Sequence, residues 1–319
     1  MLYSLVKIPA KLALWIYARN VAINKKEILQ SNGPLLIACN HPNSFLDAII
    51  IATIFKRPVY SLARGDAFGN AFYARLLRSL KMFPVYRVSE GVENLEQNYK
   101  TFEDCKNIFK QNGIVLIFSE GRCINEWHLR PLKKGTARLT ISSWQDGIPL
   151  KVLPTGLNYN SFTSFGKNLQ LNFGDIIHAE NTDWNAANGK SILDFNDTLR
   201  TQLQQLVVSI DENDKAAIRD KFTVVQPPLK KALLVIPSLL GWLLHMPLYF
   251  SVKQFVLKTV KEEGHFDAVI MGLLFVSYPF YLGLIALLTS IFIGGWWWVL
   301  TFIVLPFCAA SHVQLKRQF

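Results

Sequence analysis

Residues 34–55 read PLLIACNHPNSFLDAIIIATIF, and this stretch decides the fold. The opening run, PLLIAC, is too short for a helix and stops at a polar turn, so it predicts a strand over 34–39. From Ser44 the apolar spacing becomes helical, and a helix is predicted over 44–55. A strand that passes through a tight polar turn into a helix is the building unit of layered α/β folds. The alternation continues outward in the chain. Further strands are predicted at 57–61, 83–86, 114–118, 151–157 and 168–173, and helices at 68–81, 91–111, 134–146 and 190–220. An α/β layer fold follows, with functional groups expected on the loops at strand ends.

Composition narrows the class. The 319 residues are 50% hydrophobic and only 18% charged, against about 25% charged in ordinary soluble domains. Such a chain is not disordered, collagen-like or a coiled coil, and a typical cytosolic enzyme is also disfavoured. Lys and Arg total 34 against 23 Asp and Glu, a formal charge of +11. That excess asks for an anionic partner, and the apolar content points to lipid headgroups rather than nucleic acid. The four cysteines, Cys39, Cys105, Cys123 and Cys308, show no zinc-like spacing, so they are read as reduced thiols with no metal site.

Three segments speak of a membrane. Over residues 1–24, Leu5, Ile8, Pro9, Leu12, Trp15 and Ile16 share one helical face while Lys7 and Lys11 lie opposite. This predicts an amphipathic helix on a membrane surface. From Ala268 to Ile293 no ionisable acid or base occurs apart from two tyrosines, which is long enough to cross a hydrocarbon core. Gly294-Gly295 and a Trp296–Trp298 belt follow, then a second apolar run from Val299 to Val313. A helical hairpin is expected over 268–313, within a membrane region spanning 226–319. Lys253, Lys258 and Lys261 precede it and Lys316 and Arg317 follow, so both ends belong in the cytoplasm and the turn outside. Residues 232–250 are apolar but carry Pro237, His245 and Pro247, and a re-entrant or in-plane element is expected there. The Gln226-Pro227-Pro228 linker closes a domain expected over 25–225.

Two loops carry candidate chemistry. His41 follows the first predicted strand, with Asp47 reachable across the turn, the usual arrangement of a general base and its orienting carboxylate. With no reactive serine or cysteine motif, the nucleophile would belong to the substrate. A structural reading stands beside it: Ser44 as helix N-cap with Asp47 at N3. The second loop is Phe118-Ser119-Glu120-Gly121-Arg122, again after a strand. Gly121 lets backbone approach a ligand, and Arg122 offers a guanidinium fork to phosphate. Arg130, Lys133, Lys134 and Arg138 follow and suit a phosphorylated substrate, although Arg130 and Arg138 read as well as a solvated face. Arg87, ending Met82-Phe83-Pro84-Val85-Tyr86-Arg87, is a third candidate.

The order NHPNSFLDA, FPVYR, FSEGR…LRPLKKGTARL and KVLPTGLNY resembles the glycerophospholipid acyltransferase family, across roughly residues 30–180. That resemblance implies a mixed sheet flanked by helices, and an enzyme that uses acyl-CoA or acyl-carrier protein as co-substrate with no other cofactor. It also implies His41 as base, Asp47 as its orienting carboxylate, and Arg87 with Glu120, Gly121 and Arg122 as the parts that hold glycerol phosphate. Pro154 matches the fourth block. Two departures are visible: five residues separate His41 from Asp47 where four are commonest, and Ser119 and Arg122 stand where proline and threonine are usual. The five-residue spacing resembles some glycerol-3-phosphate and dihydroxyacetone-phosphate acyltransferases more closely. The expected acceptor is 1-acyl-glycerol-3-phosphate, with those two acceptors or another lipid hydroxyl as alternatives. A non-catalytic membrane protein that binds anionic lipid is the alternative of another class. Residence in a bacterial inner membrane is expected, and the oligomeric state stays open.

Overall fold

The computed structural model describes residues 2–86, 95–181, 184, 189–260 and 263–319. Seven strands form one sheet: β1 (Ala18–Ile23), β2 (Leu35–Cys39), β3 (Val59–Arg64), β4 (Met82–Val85), β5 (Ile114–Phe118), β6 (Lys151–Tyr159) and β7 (Lys167–Phe173). Their order across the sheet is β1-β7-β6-β2-β5-β3-β4. Only β6 and β7 pair antiparallel, so the sheet is mixed. The two central strands decide where chemistry sits. β2 and β5 run parallel in register, Cys39 opposite Phe118, so the loops carrying His41 and Glu120 leave the same sheet edge side by side.

Helices α2 (Ser44–Ile54), α3 (Ala71–Ser79), α4 (Leu95–Lys110), α5 (Gly135–Gln145), α6 (Gly189–Leu206) and α7 (Lys215–Phe222) follow the predicted alternation. One core half buries Ile37, Ile50, Ile51, Leu116 and Leu157 under α2, and the other buries Val115, Ala137, Leu139 and Phe195 under α5 and α6. Two differences from the sequence reading stand out. The helix expected over 190–220 is two helices. The β-branched Val207-Val208 and the acidic run Asp211–Asp214 interrupt it, and Ile210 N–H donates to Trp127 O at 2.8 Å instead of to a helical carbonyl. The second difference is β1, which lies within the segment read as an N-terminal helix and adds a parallel strand beside β7.

Helix α1 (Leu2–Tyr17) turns Tyr3, Leu14 and Tyr17 inward and leaves Leu5, Ile8, Leu12 and Trp15 exposed. Lys7 Nζ donates to Phe55 O at 2.5 Å, which fastens α1 to the C-terminal end of α2.

Beyond the α/β domain lie α8 (Pro228–Thr259), α9 (Phe266–Phe292) and α10 (Thr301–Leu315), and three helical segments, α8, α9 and Trp297–Leu315, are long and apolar enough to cross a membrane. α9 and α10 are the expected hairpin, turning at Gly294 and Gly295, both with positive φ. Residues 232–250 belong to one continuous helix with Pro237 and Pro247 inside it. Proline is tolerated there where neighbouring helices support the freed backbone groups. Gly241 makes that support possible. A Cβ there would lie 2.0 Å from Cys308 O, so glycine lets α8 and α10 touch backbone to backbone. Near its start α8 is tied to Gln314 of α10, whose Nε2 in turn donates to Arg19 O of β1 at 2.9 Å. Lys230 Nζ meets Gln314 Oε1 at 3.0 Å there, and after the other end His265 Nδ1 lies 2.6 Å from Ser44 Oγ.

Candidate active site

The turn after β2 is organised by one carboxylate. Asp47 is fully buried, and its Oδ2 lies 2.8 Å from His41 Nδ1 and accepts the Asn43 backbone N–H at 2.8 Å. Its Oδ1 accepts the Tyr159 hydroxyl at 2.6 Å. Burial beside Asp47 pushes the Tyr159 phenol well above its ordinary range, so it stays a donor. The carboxylate therefore fixes the proton of His41 on Nδ1 and leaves an Nε2 lone pair with no protein partner among the described residues. The His41 ring stacks on Phe118, with 3.8 Å between ring centroids.

Five intervening residues still bring His41 and Asp47 together because Ser44 takes φ 52, a left-handed turn that absorbs the longer spacing. The expected cap is rearranged. Asn43 holds the N-cap position of α2, the Ser44 hydroxyl turns to His265, and Asp47 itself takes the cap-position amide. Capping and imidazole orientation are one contact set here, not rival roles.

Behind the turn lies a polar cluster that sequence reading did not anticipate. Asp267, on the first turn of α9, accepts from Tyr17 OH at 2.5 Å and from Asn43 Nδ2 at 2.8 Å, and pairs with the buried Lys167 Nζ at 2.9 Å. The signal was available: an acid at the very start of a long apolar run is expensive unless it has partners. Tyr17 and Lys167 gave none, since their link to Asp267 spans 250 and 100 residues, distances no local pattern carries.

The second loop braces the first. Both oxygens of Glu120 accept backbone N–H groups, from His41 at 2.8 Å and Arg130 at 2.9 Å. Burial holds its carboxyl above the usual carboxylate range, against those two donors and the nearby cations. Glu120 thus faces inward, as a strut between the His41 turn and the basic segment, and not outward toward a ligand. Lys133 N–H donates to Ser119 O at 2.7 Å and Thr136 Oγ1 to Ser119 Oγ at 3.0 Å, stitching the basic segment to β5. Gly121 takes φ +65, and a Cβ there would crowd the Lys133 stem at 3.0 Å. Arg122, Lys133, Lys134 and Arg138 are exposed, whereas Arg130 is paired with Glu126 at 3.1 Å. Ile124 N–H donates to His41 O at 3.3 Å, so the loop bearing Arg122, after β5, runs alongside the His41 turn. Arg87 lies outside the described residues. Pro154 is buried within β6. Among the described residues, no three His, Cys, Asp or Glu side chains are grouped to hold a metal ion.

Residues 20–157 match the family model described as Acyltransferase. Among curated proteins no sequence matches the chain. A crystal structure of the 1-acyl-sn-glycerophosphate (LPA) acyltransferase PlsC from Thermotoga maritima is similar, with a TM-score of 0.45 and 13% identity over 70% of this chain and 81% of that one.

Proposed function

We propose, from the premise that residues 20–157 are an acyltransferase domain, that this enzyme moves a fatty acyl chain from a thioester to the free hydroxyl of 1-acyl-glycerol-3-phosphate, giving phosphatidate. The donor is acyl-CoA or acyl-carrier protein, and the reaction belongs to phospholipid biosynthesis. One observation carries the reading: a buried carboxylate 2.8 Å from His41 Nδ1, with Nε2 left without a partner among the described residues. In this mechanism Nε2 takes the acceptor's hydroxyl proton as the oxygen attacks the thioester carbonyl. Asp47 stabilises the imidazolium and Tyr159 holds Asp47. The C–S bond then breaks, the C–O bond is kept, and the imidazolium returns the proton to the leaving thiolate. General base assistance of this kind contributes about 10²–10⁴-fold. Arg122, Lys133 and Lys134, exposed beside that turn, are the groups suited to the acceptor's phosphate, with Gly121 letting backbone approach it.

The helices suit a membrane enzyme. In this reading α9 and α10 cross as a hairpin, α8 lies in the plane because its start is tied through Gln314 to Arg19 of β1 and the segment after its end meets Ser44, and α1 lies on the surface. The catalytic domain faces the cytoplasm of a bacterial inner membrane, where a soluble thioester donor reaches it. A cysteine placed at Gly295, with native cysteines removed, should react with an impermeant reagent from outside, and one at Lys316 should not.

The test of the reaction is product analysis with purified full-length protein, a labelled acyl thioester and a panel of acceptors. Labelled phosphatidate from 1-acyl-glycerol-3-phosphate is the expected product. Preferential acylation of glycerol-3-phosphate or dihydroxyacetone phosphate would reassign the acceptor. No transfer to any of them would favour a lipid-binding protein without catalysis.

A further inference from the structure

We infer that the open groove between α1, α8, α9 and α10 is a binding site for one anionic phospholipid of the bilayer, separate from the acyl-transfer site, with an acyl chain among the helices and its phosphate at Lys316. The inference rests on the membrane placement proposed above.

The groove measures about 530 Å³ and is walled by apolar side chains, among them Ile16, Trp242, Met271, Phe275, Leu282 and Ala309. That volume lies within the ~300–1,000 Å³ of ligand sites. An acyl chain laid along these walls gains dispersion contacts with each of them. His41, Asp47 and Glu120 do not line it.

Charge gathers at one end only. Val313 and Lys316 line that end, and Arg19 lies behind them, donating from Nε to Val313 O at 3.0 Å and from Nη2 to Lys316 O at 2.9 Å. Arg19 is buried, and its Nη1 has no hydrogen-bond partner among the described residues. Lys316 Nζ donates to the neutral Phe165 O at 2.7 Å. The charged groups acting on Lys316 are Arg19, Lys167 and Lys253, all cationic. Burial and these neighbours push its ammonium down to about 8. Of those neighbours Lys167 is paired, with Asp267 at 2.9 Å. A phosphate supplies both the missing negative charge and acceptors for donors in a fixed place. The ligand is therefore apolar along its length and anionic at one end. The outward faces of α8 and α9 expose Leu239, Phe280 and Leu284, so a lipid enters sideways from the surrounding bilayer.

The groove wall also reaches the catalytic turn. Tyr17 packs edge-on against Phe165 of the wall and donates to Asp267, which holds Asn43. A bound lipid buttresses that chain from the membrane side.

The test uses full-length protein reconstituted with mixed phosphatidylglycerol and phosphatidylcholine, extracted into mild detergent and weighed intact by native mass spectrometry. Wild type should retain one phosphatidylglycerol per chain. Lys316→Gln should weaken retention about tenfold, Lys316→Arg should largely keep it, and Ala309→Trp should exclude the lipid by filling the groove. His41→Ala should retain it while losing acyl transfer. Equal retention of phosphatidylcholine, preference for added palmitate, or wild-type retention by both Lys316→Gln and Ala309→Trp would each overturn the site. Loss of lipid in His41→Ala would make it the acceptor's own site and overturn its separateness. If Ala309→Trp fails to fold, judged by its melting curve, the two Lys316 variants decide. Retention without acyl transfer by wild type would sink the proposed reaction and leave the lipid site standing.

Discussion

On α2, Ile50 and Ile51 are fully buried, while on α9 Phe280 and Phe292 are 77% and 81% exposed. The first helix hides its apolar residues against a sheet, and the second spreads them outward. Their polar residues follow the opposite rule. Asp47 and Asp267 each sit in the first turn of one of these helices, both almost wholly buried, and both reach Asn43. The α/β domain is therefore organised around a sheet with polar loops at its edge, and the helical region leaves long apolar faces outward, as helices suited to an apolar medium do. The two join where each helix begins. The His41 turn is held from the sheet side by Asp47, Tyr159 and Glu120, and from the helical region by Asp267.

That comparison breaks most visibly at Asp267. Replacing it with alanine strands Lys167 as a fully buried cation, and such losses destabilise by about 3–5 kcal/mol. Chemical denaturation of Asp267→Ala should show it, with Asp267→Leu plus Lys167→Met recovering much of the loss. A change under about 1 kcal/mol would mean that the two regions are merely adjacent. On the sheet side, Tyr159→Phe removes one charge-assisted hydrogen bond worth about 1.5–3 kcal/mol. Turnover should drop about ten- to a hundredfold with little change in donor KM. An unchanged kcat would show that Asp47 holds His41 without that support.

Glu120 sharpens the comparison through pH. Its carboxyl is raised by burial, so between 4.5 and its folded value the native state binds a proton that the unfolded chain has released. Stability must then fall as pH rises through that window. Melting temperatures of wild type should decline relative to Glu120→Gln from pH 4.5 upward, and a parallel pair of curves would contradict the burial assigned here. The smallest effect is expected at Lys7, which meets the C-terminal carbonyls of α2. Lys7→Met should lower stability by about 0.3–1 kcal/mol, less at high salt.

Much of this was legible in the chain. PLLIAC followed by a polar turn and an apolar helix gave β2, the His41–Asp47 turn and α2, because period and length are local properties. The hairpin was legible for the same reason, as its apolar runs and glycine turn are contiguous. β1 was hidden because Ala18–Ile23 follows directly on an amphipathic helix, with no turn residue between them. The partners of the catalytic pair were the least legible. Tyr159 lay in a block noted for its proline, and the Tyr17–Asp267–Lys167 cluster gathers residues from α1, α9 and β7. Tertiary packing alone assembles it.

The central claim is that His41 acts as the base for acyl transfer. Its most direct test is the rate of phosphatidate formation from labelled acyl thioester and 1-acyl-glycerol-3-phosphate by full-length wild type and His41→Ala, with equal melting temperatures confirmed. His41 carries little of the core, so the variant should fold and still bind membranes while its rate falls by about 10²–10⁴-fold. A folded His41→Ala protein that transfers acyl groups at the wild-type rate would contradict the account.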